Sequence, residues 1–377
     1  MADIPLVDVR AQHRQVAAEV ARGFARVLES GCFVLGPEVE AFETAYAGFS
    51  AVKHCIGVAN GTDALEIALR AAGVGPGDEV IVPVNSFVAT ALAVARAGAV
   101  PVLVDCDPDH HLIDLREVAR KIGPRTRAIV PVHLYGQMAP MEELEDLVRG
   151  SGVVLVEDAA QAHGATRHGR APGACGIAAG TSFYPGKNLG AYGDAGAILT
   201  NDETIDRRAR ALRNYGSEVK YAHPELGFNS RLDPLQAVVL SAKLVHLRLW
   251  NEQRREAARR YDALLAGAPG VRLPATLPGN DPVWHLYVVR VPRRDEVLAK
   301  LHAAGIQAAV HYPTPIHLQG AFRSLGHRRG EFPVAEAAAA DVLSLPIYPG
   351  ITPAQQERVA AVLRAAVDER RGLAPTP

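Results

Sequence analysis

Between residues 55 and 200, short apolar runs alternate with amphipathic stretches along the chain. The amphipathic stretches have helical spacing and several end at a glycine, as residues 62–72 do at Gly73. The apolar runs are nearly continuous, which is typical of strands covered on both faces. The pattern predicts repeated strand-helix-strand units, and therefore an α/β fold with a mostly parallel central sheet covered by helices. The predicted strands are CIGVAN, EVIVPV, AVPVLVDCD, RAIVPVHLYG, VVLVEDAA, GTSFYP and GAILTND.

Three further helices are predicted outside this region, at residues 12–29, 39–49 and 234–265. The last is a long, nearly unbroken helical pattern that ends before APGVRLPATLPGNDP. Beyond it the chain predicts a strand at WHLYVVRV, a helix, a second strand at IQAAVHYP and a terminal helix from Pro353, which fits a small α+β domain. We expect an N-terminal segment plus large domain at 1–233, a connecting helix at 234–266 and a small C-terminal domain at 267–377.

Composition and charge exclude several classes of protein. Of 377 residues 48% are hydrophobic, which is enough to fill a core and excludes disorder as the main state. A formal net charge of -1 excludes a global field that would attract nucleic acid or an anionic membrane. The N-terminal residues lack a signal-peptide pattern, and no run approaches the roughly 20 apolar residues of a membrane span. We therefore expect a cytoplasmic protein, with reduced and buried thiols at Cys32, Cys55, Cys106 and Cys175.

The candidate chemistry lies where the predicted strands end, because ligands of open α/β sheets bind at the carboxyl ends of the strands. Lys187 follows the predicted strand GTSFYP, among aromatic residues and glycines that let the backbone approach a ligand. In a partly dry pocket its amine would have a lowered pKa and could attack an aldehyde, whereas a surface loop lysine is the alternative. The other lysines have charged neighbours typical of solvated surface positions: Lys53, Lys121, Lys220, Lys243 and Lys300.

Asp158 follows VVLVE at the end of a predicted strand and supplies a carboxylate to accompany the Lys187 amine. An enzyme that uses pyridoxal phosphate (PLP) needs a lysine amine for the aldehyde and a carboxylate that keeps the pyridine nitrogen protonated. Asp158 and Lys187 together provide this pair. Taken alone, an aspartate at a strand end is also a common helix cap.

A phosphate site is predicted at the start of the helix that begins near residue 62. Gly61, Thr62 and Asp63 offer backbone N–H groups and a hydroxyl there, and Ser182 can add a second hydroxyl. Phe87 follows another strand, where its ring could lie on the pyridine face. Simpler interpretations of these features are a threonine N-cap and a core aromatic residue. Their order along one array of strands and helices favours a cofactor site.

Longer motifs extend this pattern over nearly the whole chain: LESGCFVLGPEVEAFE, NGTDALEIAL, PVHLYGQ, EDAAQAHGA, SFYPGKNLGAYGDAGA, LRNYG, NSRLDPLQA and HYPTPIHLQ. With them the chain resembles the sugar-nucleotide aminotransferase family, PLP enzymes of the aspartate aminotransferase fold (fold type I). The resemblance implies that Lys187 forms the Schiff base with PLP and that Asp158 binds the pyridinium nitrogen. It also implies that Gln161 lies near the ring hydroxyl and that Phe87 stacks on the ring.

The same resemblance assigns the phosphate to Thr62, Asp63 and Ser182. It further implies that Asn229, in GFNSRLD, reaches the cofactor phosphate of the neighbouring subunit, and therefore that the protein is an obligate homodimer.

The resemblance also implies the reaction. Some relatives carry histidine in place of the lysine and catalyse dehydration, so Lys187 favours transamination. The expected amino donor is L-glutamate, with pyridoxamine phosphate as the intermediate form of the cofactor. The acceptor is most like a dTDP-3-keto-6-deoxyhexose, which would become a dTDP-3-amino sugar. A 4-keto sugar nucleotide, or a catalytically silent member that binds PLP or a sugar nucleotide as a partner, remains an alternative.

Substrate contacts are implied less directly. His311 is alternatively a structural histidine and Lys220 a surface lysine. The residues that the resemblance places near the sugar nucleotide are Phe33, Tyr184, Lys220, Tyr221, His311 and Tyr312.

Two other cofactor classes are not expected. The histidines at 110–111, 163, 168 and 317 lack the spacing of metal ligands, so no metal site is predicted. No G-x-G-x-x-G follows the first predicted strand, which argues against a nicotinamide cofactor.

Overall fold

The computed structural model describes residues 3–368, in which strands and helices alternate as the hydrophobic pattern predicts. The strands are β1 His54–Val58, β2 Glu79–Pro83, β3 Val100–Val104, β4 Thr126–Ile129, β5 Val154–Asp158, β6 Thr166–Arg167, β7 Ala178–Ser182, β8 Gly196–Thr200, β9 Asn280–Asp281, β10 Tyr287–Arg290 and β11 Val342–Leu345. The helices are α1 Val9–Ser30, α2 Pro37–Phe49, α3 Gly61–Ala71, α4 Val88–Arg96, α5 Leu115–Lys121, α6 Met141–Val148, α7 Glu203–Leu212, α8 Pro234–Leu244, α9 Leu247–Leu265, α10 Arg294–Ala303, α11 Pro333–Asp341 and α12 Pro353–Asp368.

A seven-stranded sheet with the order β1-β8-β7-β5-β4-β2-β3 forms the centre of the molecule. All seven predicted strands belong to it, which confirms the predicted α/β class. The pairs β2/β3, β2/β4, β4/β5 and β5/β7 are parallel, whereas β8 is antiparallel to both β1 and β7. Because β8 is antiparallel to both of its neighbours, β1 and β7 run in the same direction. Both therefore end at the same edge of the sheet as β2, β4 and β5.

Helices cover both faces of the sheet. One apolar core contains side chains of α3, α4 and α7, and others lie under α2 with α8 and under α5 with α6. Residues such as Ile56, Val82 and Ile198 are fully buried within the sheet. A separate core joins α9, α10 and α12 to β10 and β11.

The helix predicted at 234–265 is wrong in one respect, because the structure breaks it into α8 and α9. Val245, at the break, is 81% exposed. Buried residues of α8 pack with α1 and α2, whereas the second half of α9 packs in the core of α10 and α12. One straight helix cannot pack against α1 and α2 and also against α10 and α12. The spacing of apolar residues alone does not show that the packing partners change along this segment.

The second strand predicted in the C-terminal region is also wrong. Residues 306–313 make only isolated bridges, between Ile4 and Ile306 and between Ala309 and Ser344. The antiparallel partner of β10 is β11, whose residues are all buried. The terminal helix predicted from Pro353 is present as α12.

The two cores do not follow a simple division along the sequence. Ile4 is buried in the core of α9, α10 and α12, although it precedes the large domain in the chain. Conversely, Ile316, Phe322 and Phe332 pack in the core that contains side chains of α3, α4 and α7. The division at residues 233 and 266 stays a prediction, and these contacts show that segments cross it in both directions.

All four cysteine thiols are free. Cys55 and Cys106 are buried as predicted, but Cys32 and Cys175 are only half-buried, contrary to prediction.

Within residues 3–368 no helix combines the length and the apolar character that crossing a membrane requires.

Candidate active site

Lys187 lies in the loop after β7, at the edge where β1, β2, β4, β5 and β7 end. Its amide donates to the carbonyl oxygen of Tyr184 at 2.8 Å, which closes a turn directly after the strand. The next residue anchors the loop, since Asn188 Nδ2 donates to Asn251 Oδ1 and to the carbonyl of Val283, each at 3.0 Å. Lys187 is half-buried, and loss of water around the amine lowers its pKa to about 8 even though the Asp158 charge raises it.

Asp158 ends β5, next to Gly180 of β7, and is 6% exposed. The Thr90 hydroxyl donates to its Oδ2 at 2.7 Å, and the amide of Ala160 donates to Oδ1 at 3.2 Å. Burial raises the pKa of Asp158, whereas these two hydrogen bonds and the positive charge of Lys187 oppose that rise. The site therefore holds an acid and an amine, each moved by burial toward its neutral form.

Gln161 links the loop after β5 to the C-terminal region. Its Oε1 accepts from the amide of Tyr135 at 2.6 Å, and its Nε2 donates to the Tyr312 hydroxyl at 3.0 Å. The Tyr135 hydroxyl in turn donates to the carbonyl of His311. The structure thus brings Gln161 and Tyr312 together.

The start of α3 forms a second part of the site. Asn60 caps the helix by accepting from the amide of Asp63 at 2.9 Å, and Gly61 and Thr62 are the first two helical residues. A Cβ on Gly61 would lie 2.5 Å from the Cβ of Ser182, so only glycine lets Ser182 come this close to the helix terminus. Backbone amides and a hydroxyl together make a cradle for an anion.

Asp63 is engaged elsewhere, although the sequence predicted it as a phosphate ligand. Its carboxylate accepts from the Ser230 hydroxyl at 2.8 Å and pairs with Arg96 at 3.2 Å, and its amide is bound to Asn60. A carboxylate also repels a phosphate. These contacts fix Asp63 at the start of α3, and its assignment to the phosphate stays a prediction.

The aromatic candidates differ in their surroundings. Phe87 follows β2, is 54% exposed, and its ring centre lies 5.5 Å from that of Tyr312. Phe33 and Tyr184 are also more than half exposed.

The remaining candidates lie further along the chain. The Lys220 Nζ lies 5.0 Å from the centre of the exposed Tyr221 ring. Asn229 is exposed and forms an isolated antiparallel bridge with Asn214. His311 shares a 2.8 Å hydrogen bond with the Ser344 hydroxyl, and burial lowers its pKa to about 4. The positive charge of Lys187 lowers the pKa of His311 further, so His311 is neutral near pH 7.

Sequence reasoning missed two polar side chains close to the site. Thr90 is the third residue of α4 and follows the polar pair at 85–86. Its place just after the end of β2 is the only sequence signal that could have marked it as a site residue. Lys243 was expected at the surface, but it is 1% exposed and its Nζ donates to the carbonyl oxygen of Gly190 at 2.5 Å. Its neighbours in sequence do not reveal this burial.

The histidines have partners of other kinds. His133 is fully buried, with Nε2 2.8 Å from Glu157 Oε2 and Nδ1 accepting from the amide of Ala139 at 3.1 Å. His163 contacts Thr181, and burial lowers its pKa to about 3. In the part of the chain from 3 to 368, no three His, Cys, Asp or Glu side chains are grouped so that they could hold a metal ion.

A mostly parallel seven-stranded sheet with a buried carboxylate and a lysine amine at one edge is the architecture of fold type I, a class of PLP-dependent transferases. A model of the DegT/DnrJ/EryC1/StrS aminotransferase family matches residues 14–364. The chain belongs to this family, whose members are PLP-dependent enzymes.

Two relatives and one solved structure illustrate the match. Over 361 residues the chain is 49% identical to dTDP-3-amino-3,4,6-trideoxy-alpha-D-glucose transaminase of Streptomyces venezuelae, covering 96% of this chain and 95% of that protein. Over 359 residues it is 48% identical to the pleiotropic regulatory protein of Geobacillus stearothermophilus, covering 95% and 96%. The crystal structure of S. venezuelae DesV in complex with a ketimine intermediate has a TM-score of 0.95 at 48% identity, covering 98% of this chain and 99% of that one.

Proposed function

We propose that this protein is a PLP-dependent aminotransferase that moves the amino group of L-glutamate to a dTDP-3-keto-6-deoxyhexose, giving a dTDP-3-amino sugar. One observation carries the proposal: the Lys187 amine and the Asp158 carboxylate lie at neighbouring strand ends and influence each other's pKa. The similarity to a dTDP-3-amino sugar transaminase supports the choice of substrate.

The residues present fit PLP. The cradle at Gly61, Thr62 and Ser182 suits a phosphate, and the Asp158 carboxylate suits a protonated ring nitrogen. We propose that Phe87 covers the ring, that Gln161 contacts the ring hydroxyl and that Lys187 binds the aldehyde. When bound, PLP withdraws electrons from the carbon that loses its proton.

The chain itself supplies the proton transfers. The pKa of Lys187 is about 8, so near neutral pH its Nζ exchanges protons readily. We propose that Nζ takes the proton from the α-carbon of glutamate and delivers a proton to the sugar carbon that receives nitrogen. Asp158 holds the proton of the ring nitrogen in place throughout. For the sugar nucleotide itself, the proposed contacts are Phe33, Tyr184, Lys220, Tyr221, His311 and Tyr312.

We also propose a homodimer with shared sites. Large apolar side chains are exposed in two segments, with Phe33 and Val34 at 53% and 55% and Tyr221 and Leu226 at 84% and 95%. The second segment leads directly to Asn229, the residue expected to reach the partner's cofactor. Such side chains are typical of surfaces that a second copy covers. Location in the cytoplasm stays a prediction from the sequence.

Borohydride reduction tests the central assignment. The purified protein should be yellow, and reduction should attach the cofactor to the peptide that contains Lys187. Lys187→Ala should abolish turnover without unfolding the protein. Attachment to another lysine, or full turnover by the variant, would refute the assignment.

A substrate panel tests the specificity. L-Glutamate is supplied with 3-keto and 4-keto sugar nucleotides, and 2-oxoglutarate and the position of the new amine are measured. Amination of the 3-keto sugars alone is expected. Reaction of 4-keto sugars alone would place the chain among 4-aminotransferases, and reaction of none would favour a silent binding partner.

Mixing two inactive variants tests the shared site. Lys187→Ala and Asn229→Ala homodimers are unfolded together and refolded, so that mixed dimers form. Each mixed dimer would have one site with both defects and one intact site, so activity should return. A mixture that forms mixed dimers but stays inactive would contradict a site shared in this way.

A further inference from the structure

Three buried oxygen-bearing side chains form a row from the loop before α4, through α4, to the end of β5. The Ser86 hydroxyl lies 2.7 Å from the Thr90 hydroxyl, which lies 2.7 Å from Asp158 Oδ2. Ser86, Thr90 and Asp158 are 4%, 1% and 6% exposed. Water therefore has little access to the row, and each hydrogen bond in it is stronger than it would be at the surface.

The direction of the hydrogen bonds follows from the number of protons. The Thr90 hydroxyl has a single proton and donates it to Asp158 Oδ2. Thr90 Oγ1 then accepts the proton of Ser86. Both hydroxyl dipoles are thus aligned toward Asp158 and favour its charged form.

We propose that Thr90, supported by Ser86, is a positioning residue that keeps Asp158 ionised and aimed at the cofactor ring nitrogen. This inference rests on the proposed role of Asp158. Lys187 and His133 also act on this carboxylate, and the carboxylate acts on Tyr312. Burial works against the charge of Asp158, and the Thr90 hydroxyl is the largest of the opposing contributions.

The proposal predicts where one proton resides. With Thr90 present, the proton between Asp158 and the ring nitrogen stays on nitrogen, and the ring carries a positive charge. Without the hydroxyl the carboxylate becomes more basic, so the proton moves to Asp158 and the ring becomes neutral. A neutral ring withdraws fewer electrons from the nitrogen that joins Lys187 to the cofactor, and the pKa of that nitrogen rises.

The experiment is a pH titration of the cofactor absorbance in the intact holoenzyme, which requires no turnover. Thr90→Val removes the hydroxyl and keeps the shape of the side chain. It should move the spectroscopic pKa upward by about 0.5–1 unit, in line with the loss of one hydrogen bond of about 1 kcal/mol. Thr90→Ser should restore the value of the unaltered protein, and Ser86→Ala should give a smaller shift in the same direction.

Control variants separate this inference from the proposed function. Thr200 is also a buried threonine, with its hydroxyl bound to the carbonyl of Ile177, so Thr200→Val should leave the titration unchanged. Asp158→Asn tests the proposed function directly and should shift the titration more than any Thr90 variant.

The outcomes distinguish failure of the inference from failure of the proposed function. A shift in Asp158→Asn without a shift in Thr90→Val overturns the inference alone. No shift in Asp158→Asn removes Asp158 from the cofactor nitrogen, and both claims fall. If Thr90→Val does not retain PLP, Ser86→Ala is decisive, because it leaves Thr90 in place, and an unchanged titration there overturns the inference.

Discussion

The Nζ atom of Lys243 donates a 2.5 Å hydrogen bond to the carbonyl oxygen of Gly190, three residues beyond Lys187 in the chain. The same Nζ lies 4.6 Å from the centre of the Tyr192 ring. Lys243 is 1% exposed, and burial lowers its pKa to about 8. A buried amine on α8 therefore holds the loop that carries Lys187.

This burial predicts a pH-dependent stability. Because the pKa of Lys243 is lower in the folded chain than its ordinary value of 10.5, the folded state gains stability as pH rises from about 8 toward 10.5. Lys243→Met abolishes this gain. The free energy of unfolding of the unaltered protein, relative to the variant, should therefore increase by about 1–2 kcal/mol between about pH 7.5 and about pH 9.5.

Denaturant unfolding at the two pH values measures the effect. Lys121 is exposed on α5, so Lys121→Met serves as the matched control. Its free energy of unfolding should differ from that of the unaltered protein by the same amount at the two pH values. A constant difference for Lys243→Met as well would show that the amine titrates normally in the folded chain.

Capture of PLP by the cofactor-free protein should depend on pH through Lys187. The neutral amine attacks the aldehyde, and the pKa of Lys187 is about 8. The rate of covalent binding should rise with pH up to about 8 and level off above it. Asp158→Asn removes the charge that raises this pKa, so its profile should lie at lower pH. Stopped-flow absorbance measures both profiles, and a move to higher pH in the variant would contradict the assigned interaction.

Gly61→Ala tests the cradle at the start of α3. The new Cβ would lie 2.5 Å from Ser182 Cβ and must displace that side chain. We expect the dissociation constant of PLP to rise about tenfold, equivalent to the loss of roughly one good hydrogen bond to a charged group. Titration of the cofactor-free protein with PLP measures it. Gly75→Ala is the control, because a Cβ there meets nothing within 4 Å, and equal affinities for the two variants would argue against the cradle.

Gln161 and Tyr312 should be energetically coupled. Gln161→Leu and Tyr312→Phe each break the 3.0 Å hydrogen bond between them and leave a buried partner unsatisfied. In a double-mutant cycle on the free energy of unfolding of the cofactor-free protein, we expect a coupling of about 1 kcal/mol. Strictly additive effects would mean that the hydrogen bond contributes nothing to folding.

The parts of the fold that the sequence predicted correctly are those set by local patterns. Seven apolar runs became the seven strands of one sheet, because continuous apolar residues between helices have few other places to pack. The predicted positions of Lys187 and Asp158 at one edge also agree with the structure, because strand ends of a parallel sheet converge there, whereas their roles stay predictions. The assignment to a PLP-dependent aminotransferase family is confirmed by the comparisons.

The errors arose where distant packing decides the outcome. The helix break at residues 245–246 arises because α8 packs with α1 and α2, whereas the second half of α9 packs with α10 and α12. A helical spacing of apolar residues is the same in both cases. Residues 306–313 have strand-like composition, yet β11 takes the place beside β10 because its register buries all four residues. Lys243 has the sequence context of a surface lysine, and only the fold over it makes it buried.

The bridge between Ile4 and Ile306 has a consequence for how the chain folds during translation. The amide of Ile4 donates to the carbonyl of Gly305, and the amide of Gln307 donates to the carbonyl of Ile4, both at 2.9 Å. A nascent chain leaving the ribosome therefore presents Ile4 without its partner until the segment around Ile306 has also been synthesised. Ile4 is therefore synthesised long before it can reach its final position.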